Sequence, residues 1–152
     1  TTLRCSLTEI TDEAWERTMQ VNLNSSLYLI RDLYDLIPHD SRIIFIGSLM
    51  GIHPHGTSLA YGVSKAAVHA LALNLVKSFE ATDTTVNAIA PGFVETEWQA
   101  SKPAEIRQNI YAKSAVKRFA SPDEVADAVM FCVRNAFVNG SVLELSGGYS
   151  FK

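Results

Sequence analysis

Apolar residues recur at three- and four-residue steps between Asp12 and Ile37: Trp15, Met19, Leu23, Leu27, Ile30, Leu33 and Ile37. That is the period of a buried helix face. It predicts a helix over 12–37, capped by Thr11 or Asp12 and ended by Pro38. The pattern then changes. Arg42 to Gly47 reads RIIFIG, apolar without alternation, which predicts a strand covered on both sides. Ser48 to Thr57 is rich in Gly, His and Pro and predicts a loop. A second helix is predicted over 58–79. Its alanines (Ala60, Ala66, Ala67, Ala70 and Ala72) let another element approach closely.

Val86 to Ala90 predicts another buried strand, and residues 91–120 a loop with short helices. Ser121, Pro122 and Glu124 form a strong helix start: a serine cap, proline at the first helical position and a capping-box glutamate. That helix is predicted to reach about Asn135. Asn139-Gly140 predicts a turn and Ser141 to Leu145 a last strand. Thr1 to Ile10 show no sustained period and read as a loop or connection.

The order is helix, strand, helix, strand, helix, strand. This predicts an α/β unit with a parallel sheet of about three strands, flanking helices and right-handed crossovers. A chain of 152 residues fits one domain. Three parallel strands leave two edges and much helix surface uncovered, so the unit reads as half a sheet, with an aggregation risk at a bare edge.

Composition narrows the function. Net charge is -3, and the 13 basic residues are scattered, which argues against nucleic acid as a partner because phosphate contacts need clustered Lys and Arg. Cys5 and Cys132 make no disulfide framework. Cys132, in the apolar run AVMFCV, reads as a core thiol, and a reducing, cytoplasmic setting fits best. That run is far too short to span a membrane, and no membrane association is expected. His53 and His55 flank Pro54 without a matching carboxylate pattern, so no metal site is expected. Glu95 and Glu97 are expected to face solvent. His39 and His69 read as a turn residue and a helix residue.

Candidate chemistry lies in SLMGIHPHGTSLAYGVSKAAVHAL, Ser48 to Leu71. Tyr61 and Lys65 are four residues apart, hence on one helix face. A free phenol has a pKa near ~10, and a nearby positive charge favours the phenolate. Such a tyrosine suits general acid/base work. Ser48, at the end of the predicted strand, is placed to hydrogen-bond a substrate oxygen.

These residues resemble the short-chain dehydrogenase/reductase family. Ser48, then Tyr61 thirteen residues on, then Lys65 look like its catalytic signature, with the small-residue flank YGVSKAAVHAL. VNL, Val21 to Leu23, looks like the helix motif that carries a fourth catalytic residue, Asn22. Asn24 is a rival by type. VNAIAPGFVETEW resembles the strand and Pro-Gly turn that follow the catalytic helix, and NGSVLELSGG the closing strand. The resemblance spans nearly the whole chain. It implies a partial Rossmann-like sheet, an NAD or NADP cofactor, and hydride transfer between an alcohol and a ketone or aldehyde.

The resemblance also assigns roles. Tyr61 is the general acid/base. Lys65 also binds the nicotinamide ribose. Asn22 holds a relay water through its carbonyl. Pro91, Gly92, Val94 and Thr96 cradle the nicotinamide end, with Thr96 on its carboxamide. Leu49, Ile52, Phe93 and Trp98 are candidates for an apolar wall around a small-molecule substrate. The two long helices correspond to those that pair subunits, implying a homodimer or homotetramer.

The family's opening Gly-rich loop, TGxxxGxG, and its NNAG strand motif have no counterpart in these residues. Residues 1–152 therefore look like the C-terminal part of one such domain. A catalytically idle assembly fragment or a binding module is the alternative. The 152-residue chain by itself is expected to show no saturable binding of NADH or NADPH in titration, because a pyrophosphate needs that loop at a helix start. Tight binding by a chain of verified mass would overturn this.

Overall fold

The structure, a computed structural model, describes residues 4–54 and 58–149. Three parallel strands form its sheet: β1 (Arg42–Ile46), β2 (Thr85–Pro91) and β3 (Val142–Leu145), in the order β1-β2-β3. The register pairs Arg42 with Thr85 and Ile46 with Ile89, then Ala88 with Val142 and Pro91 with Leu145. The expected α/β class, strand count and parallel pairing are all present.

Helices cover both faces of the sheet. On one face, Phe45, Val86 and Ala88 pack with Val68, Ala72 and Phe79, joined by Leu23 and Ile30. Val68 and Ala72 belong to α3 (Leu59–Leu75), Phe79 to the turn after it, Leu23 to a π-helical turn, Gln20–Asn24, and Ile30 to α2 (Ser25–Asp32). On the other face, Ile89 packs with Ala128 and Cys132 of α6 (Pro122–Arg134), with Ile44 and Leu143 beside them. Alternation along β2 sends Ala88 and Ile89 to opposite layers. Only β2 is buried along nearly its whole length. Strand β1 is an edge of the sheet, yet both its faces are covered as expected, Ile43 and Phe45 by the α3 layer and Ile44 by the α6 layer; only Ile46 at its end is half exposed.

The predicted helix 12–37 is not continuous. It consists of α1 (Asp12–Met19), a π-helical turn Gln20–Asn24, α2, and a 3-10 turn Tyr34–Leu36. Thr11 caps it, its hydroxyl accepting from the Ala14 N–H, but it unwinds before Pro38. Helix α3 begins at Leu59 and tightens into a 3-10 turn, Val76–Phe79. By length and composition alone Leu59–Phe79 is apolar enough to cross a membrane, which corrects the expectation that no such run exists. Its buried residues pack on the sheet, the place of a core helix.

Between β2 and α6 lie α4 (Glu97–Ala100) and α5 (Ala104–Lys113), the expected short helices. Glu95 is partly exposed, as expected, but it is also paired. Its carboxylate takes two bonds from Arg107, at 2.6 and 2.8 Å, which tie the exit of β2 to α5. Helix α6 starts as predicted, with a Ser121/Glu124 capping box and Pro122 in its first turn. Both cysteines are free, and Cys132 is fully buried.

Two tests probe this packing. Ile89 is 0% exposed at the centre of the α6 layer, so Ile89→Ala should lower stability in urea by about 2–5 kcal/mol. The Arg118 guanidinium and the Ser121 N–H hold the Glu124 carboxyl down at about 2. A depressed acid stabilises the fold above its unfolded value near ~4.3 and loses that contribution as pH falls through the folded value. Glu124→Gln should therefore be less stable than wild type at pH 7 and converge on it between about pH 4 and pH 2. Urea melts across that range that show a constant gap would count against the ion pair.

Candidate active site

The site gathers at the carboxyl end of β1, where parallel α/β sheets take their ligands. Ser48 follows the strand and is 8% exposed. Its hydroxyl accepts the Met50 N–H at 3.2 Å, so Ser48 also caps the short 3-10 turn Leu49–Gly51. With an acceptor lone pair used in this way, the hydroxyl proton is left for another acceptor.

Helix α3 brings the next groups. Tyr61, Lys65 and His69 are spaced by four and share one face. The Lys65 ammonium donates to the Ile46 carbonyl at 2.7 Å. The Ser48 N–H donates to His69 Nε2 at 3.3 Å. Two successive turns of α3 are thus bonded to the end of β1, and Tyr61 lies one turn before Lys65 on the same helix face. The Lys65 nitrogen lies 5.8 Å from the Tyr61 ring centre. Burial pushes the Lys65 pKa below its ordinary value. Burial, and then the Lys65 charge, lower that of His69.

The π-helical turn contacts α3 through Asn22. Its amide donates to the Ser64 hydroxyl at 2.9 Å, and that hydroxyl donates to the Tyr61 carbonyl at 2.8 Å. Ser64 is fully buried. Asn24 instead bonds Gln20 on its own helix. Of the two asparagines, the structure brings Asn22 to α3.

The exit of β2 closes the other side. Ser48, Leu49 and Met50 line a small cavity of about 30 Å³ with Pro91, Gly92 and Phe93. Leu49 is 2% exposed and is packed rather than open. Val94 makes a single parallel bridge to Ala120. Phe93 stacks on Phe119 and tilts against Tyr149, with ring centres 5.8 and 5.2 Å apart. Thr96 begins α4 with no side-chain capping bond, and its residue is exposed.

Not every predicted residue joins this cluster. Ile52 lines a separate shallow groove with His53, Leu59 and Val63, and Trp98 is 64% exposed. His53 Nε2 lies 3.7 Å from the Glu144 carboxylate, and His55 lies outside the described residues. Sequence reasoning missed His69, Ser64 and Arg107. The i+4 spacing from Lys65 was the available signal for His69. Nothing local marked Arg107.

Comparison with known proteins agrees with this geometry. A family model described as enoyl-(acyl carrier protein) reductase matches residues 1–150. The short-chain dehydrogenase/reductase SDRA of Arabidopsis thaliana is 33% identical over 143 residues, covering 91% of this chain and 54% of that protein. The angucycline C-6 ketoreductase LanV, solved with bound NADP, superposes with a TM-score of 0.91 at 25% identity, over 97% of this chain and 58% of that one. An NADPH-bound short chain oxidoreductase from Pseudomonas aeruginosa PAO1, described as having an atypical catalytic center, gives 0.87 at 25%, over 100% and 63%. The chain thus spans little more than half the length of these relatives. A family model over almost every residue, together with these relatives, leads to one conclusion: the chain belongs to the short-chain dehydrogenase/reductase family.

Proposed function

We propose that residues 1–152 are the C-terminal, catalytic part of one short-chain dehydrogenase/reductase domain. The enzyme they serve interconverts an alcohol and a ketone or aldehyde with NAD or NADP. The observation that carries this reading is the double attachment of α3 to the end of β1, through Lys65 to Ile46 O and His69 to Ser48 N–H. It supports the placement of a phenol, an ammonium and a serine hydroxyl around one strand end.

The residues present suit the nicotinamide end of the cofactor. Lys65 offers a partly buried cation for ribose hydroxyls. Pro91, Gly92 and Val94 form the turn against which the ring would rest, and the Thr96 hydroxyl is free of capping duty. When bound, the nicotinamide supplies or accepts the hydride. Everything else falls to the chain. Tyr61 gives a proton to the carbonyl oxygen in reduction and takes it back in oxidation. Ser48, whose hydroxyl proton is uncommitted, donates to the same oxygen and stabilises its developing charge. Lys65 keeps a positive charge one helical turn from the phenol. Asn22 supports the Tyr61 turn through Ser64 and is the candidate for the relay water. Leu49 and Phe93 form the inner apolar wall of the substrate pocket, with Ile52 and Trp98 farther out.

A second reading has its own support. Leu27, Leu33, Leu59, Val63 and Leu73 are each about 40% exposed on helices, and no Gly-rich phosphate loop occurs in the chain. An idle assembly partner would use those apolar faces and no cofactor. In the enzyme they belong to, the same faces would pair subunits into a homo-oligomer.

One experiment separates the two. In an enzyme carrying a dinucleotide-binding half ahead of these residues, Tyr61→Phe should cut turnover of a carbonyl substrate by at least about 100-fold. NAD(P)H binding, followed by fluorescence, should persist. Undiminished turnover would defeat the assigned proton transfer, and a wild type without any turnover would favour the assembly role.

A further inference from the structure

His69 has no part in the chemistry above, yet it is buried against the backbone of Ser48. It is 6% exposed. Its ring fills the space beside two glycines that flank the serine. A Cβ on Gly47 would fall 1.9 Å from His69 Nε2 and 2.4 Å from Cδ2. A Cβ on Gly51 would fall 2.8 Å from His69 Cε1. Gly47 thus leaves room for the imidazole, and Gly51 for the imidazole together with the α3 backbone, whose Lys65 C and Ala66 N would lie 2.7 Å from that Cβ.

We propose that His69 is a positioning residue for Ser48: a neutral imidazole whose Nε2 accepts the Ser48 N–H and fixes the serine backbone, so that the hydroxyl is held in one orientation. The inference deepens the proposed redox function and rests on it for its catalytic consequence.

The chemistry requires one tautomer. To accept from the Ser48 N–H, Nε2 must carry a lone pair, so the proton sits on Nδ1. An imidazolium has no acceptor and would break the bond. The neighbouring cation, Lys65, is already engaged with Ile46 O one turn away, and it opposes a second positive charge on this face. Ser48 is then gripped twice. His69 holds its backbone N–H, and the Met50 N–H holds its Oγ at 3.2 Å. The hydroxyl needs only to point its proton at the substrate, and no search over rotamers precedes the step. A side chain that merely filled the space would do none of this, and that difference is measurable.

The test uses three forms of this chain: wild type, His69→Gln and His69→Leu. Glutamine can place its carbonyl oxygen near the Nε2 position, and leucine fills space without an acceptor. In wild type at pH 7, ¹⁵N spectra of His69 should show an unprotonated Nε2 and a protonated Nδ1. In His69→Leu the Ser48 amide should exchange with solvent about tenfold faster, the scale of one lost hydrogen bond. Its χ1 couplings should average. His69→Gln should restore both. Urea melts of the variants separate these local changes from loss of the fold. Should His69→Leu not fold, the wild-type tautomer and the Gln variant still decide.

In an enzyme with its dinucleotide-binding half, His69→Leu should lower kcat about tenfold with KM little changed, and His69→Gln should recover most of it. A protonated Nε2 in wild type would overturn the proposal. So would Ser48 exchange and χ1 couplings unaltered in a folded His69→Leu. Absence of turnover in the wild-type enzyme would strike the redox reading alone, because the spectra of Ser48 and His69 do not depend on it.

Discussion

Strand β2 is enclosed by helices on both faces, so every polar group along it needs an internal partner. Apart from the Thr85 hydroxyl, which has no partner among the described residues, the chain meets that constraint with side chains of β2 and of the approach to β3. The buried Asn87 amide donates to Val138 O, and its carbonyl accepts the Ser141 N–H. The Asn139 carbonyl accepts the Val86 N–H. Three bonds therefore fix the entry of β3 against the middle of β2. With β1 registered on the other side, the strand ends align, and Ser48 comes to lie beside Pro91 and Gly92. The site is a consequence of the register. A slip of one residue would turn Ile89 out of its layer and carry the Pro-Gly turn away from the serine.

Against this frame the helices supply charge at a cost. Lys65 is desolvated, and its carbonyl partner does not carry a formal negative charge. A buried ammonium is tolerable only with good hydrogen bonds, and the Ile46 carbonyl provides one of them. The Asn22–Ser64–Tyr61 chain adds rigidity without charge. The π-helical turn is what lets Asn22 reach across: a wider turn re-aims its side chains relative to the α-helices before and after it.

Local rules explain which features were legible in the sequence. The apolar run of β2, the Ser121-Pro122-Glu124 start of α6 and the i+4 spacing of Tyr61 and Lys65 each follow from short-range chemistry, and each reads directly. The break in the first helix does not. Leu27 and Leu33 continue the apolar period, but they are 40% and 41% exposed, because hydrophobicity records a preference for burial and not the partner that provides it. The pairing of Glu95 was illegible because Arg107 lies twelve residues away on another element. Trp98 was grouped with the pocket by proximity in sequence, but a four-residue helix carries it outward. The fit of His69 to Gly47 and Gly51 is likewise tertiary, since their neighbours are set only once α3 docks.

The edge of β1 shows how structure and chemistry meet in one atom. The Ser41 carbonyl and the Gly47 N–H both pair with β2. Alternation along a parallel strand then turns the Ile46 carbonyl, one residue before Gly47, to the open side. An unpaired acceptor at a sheet edge invites another strand, and here Lys65 takes it. The lysine thus both closes the edge and stands at the end of the site. An ammonium has three N–H donors, and one bond to Ile46 O leaves the others for ribose hydroxyls in the proposed complex. A further strand beside β1, in the proposed complete sheet, would cover the half-exposed Ile46 and compete for the same carbonyl. The position of Lys65 is therefore the point at which completing the sheet would be felt by the chemistry.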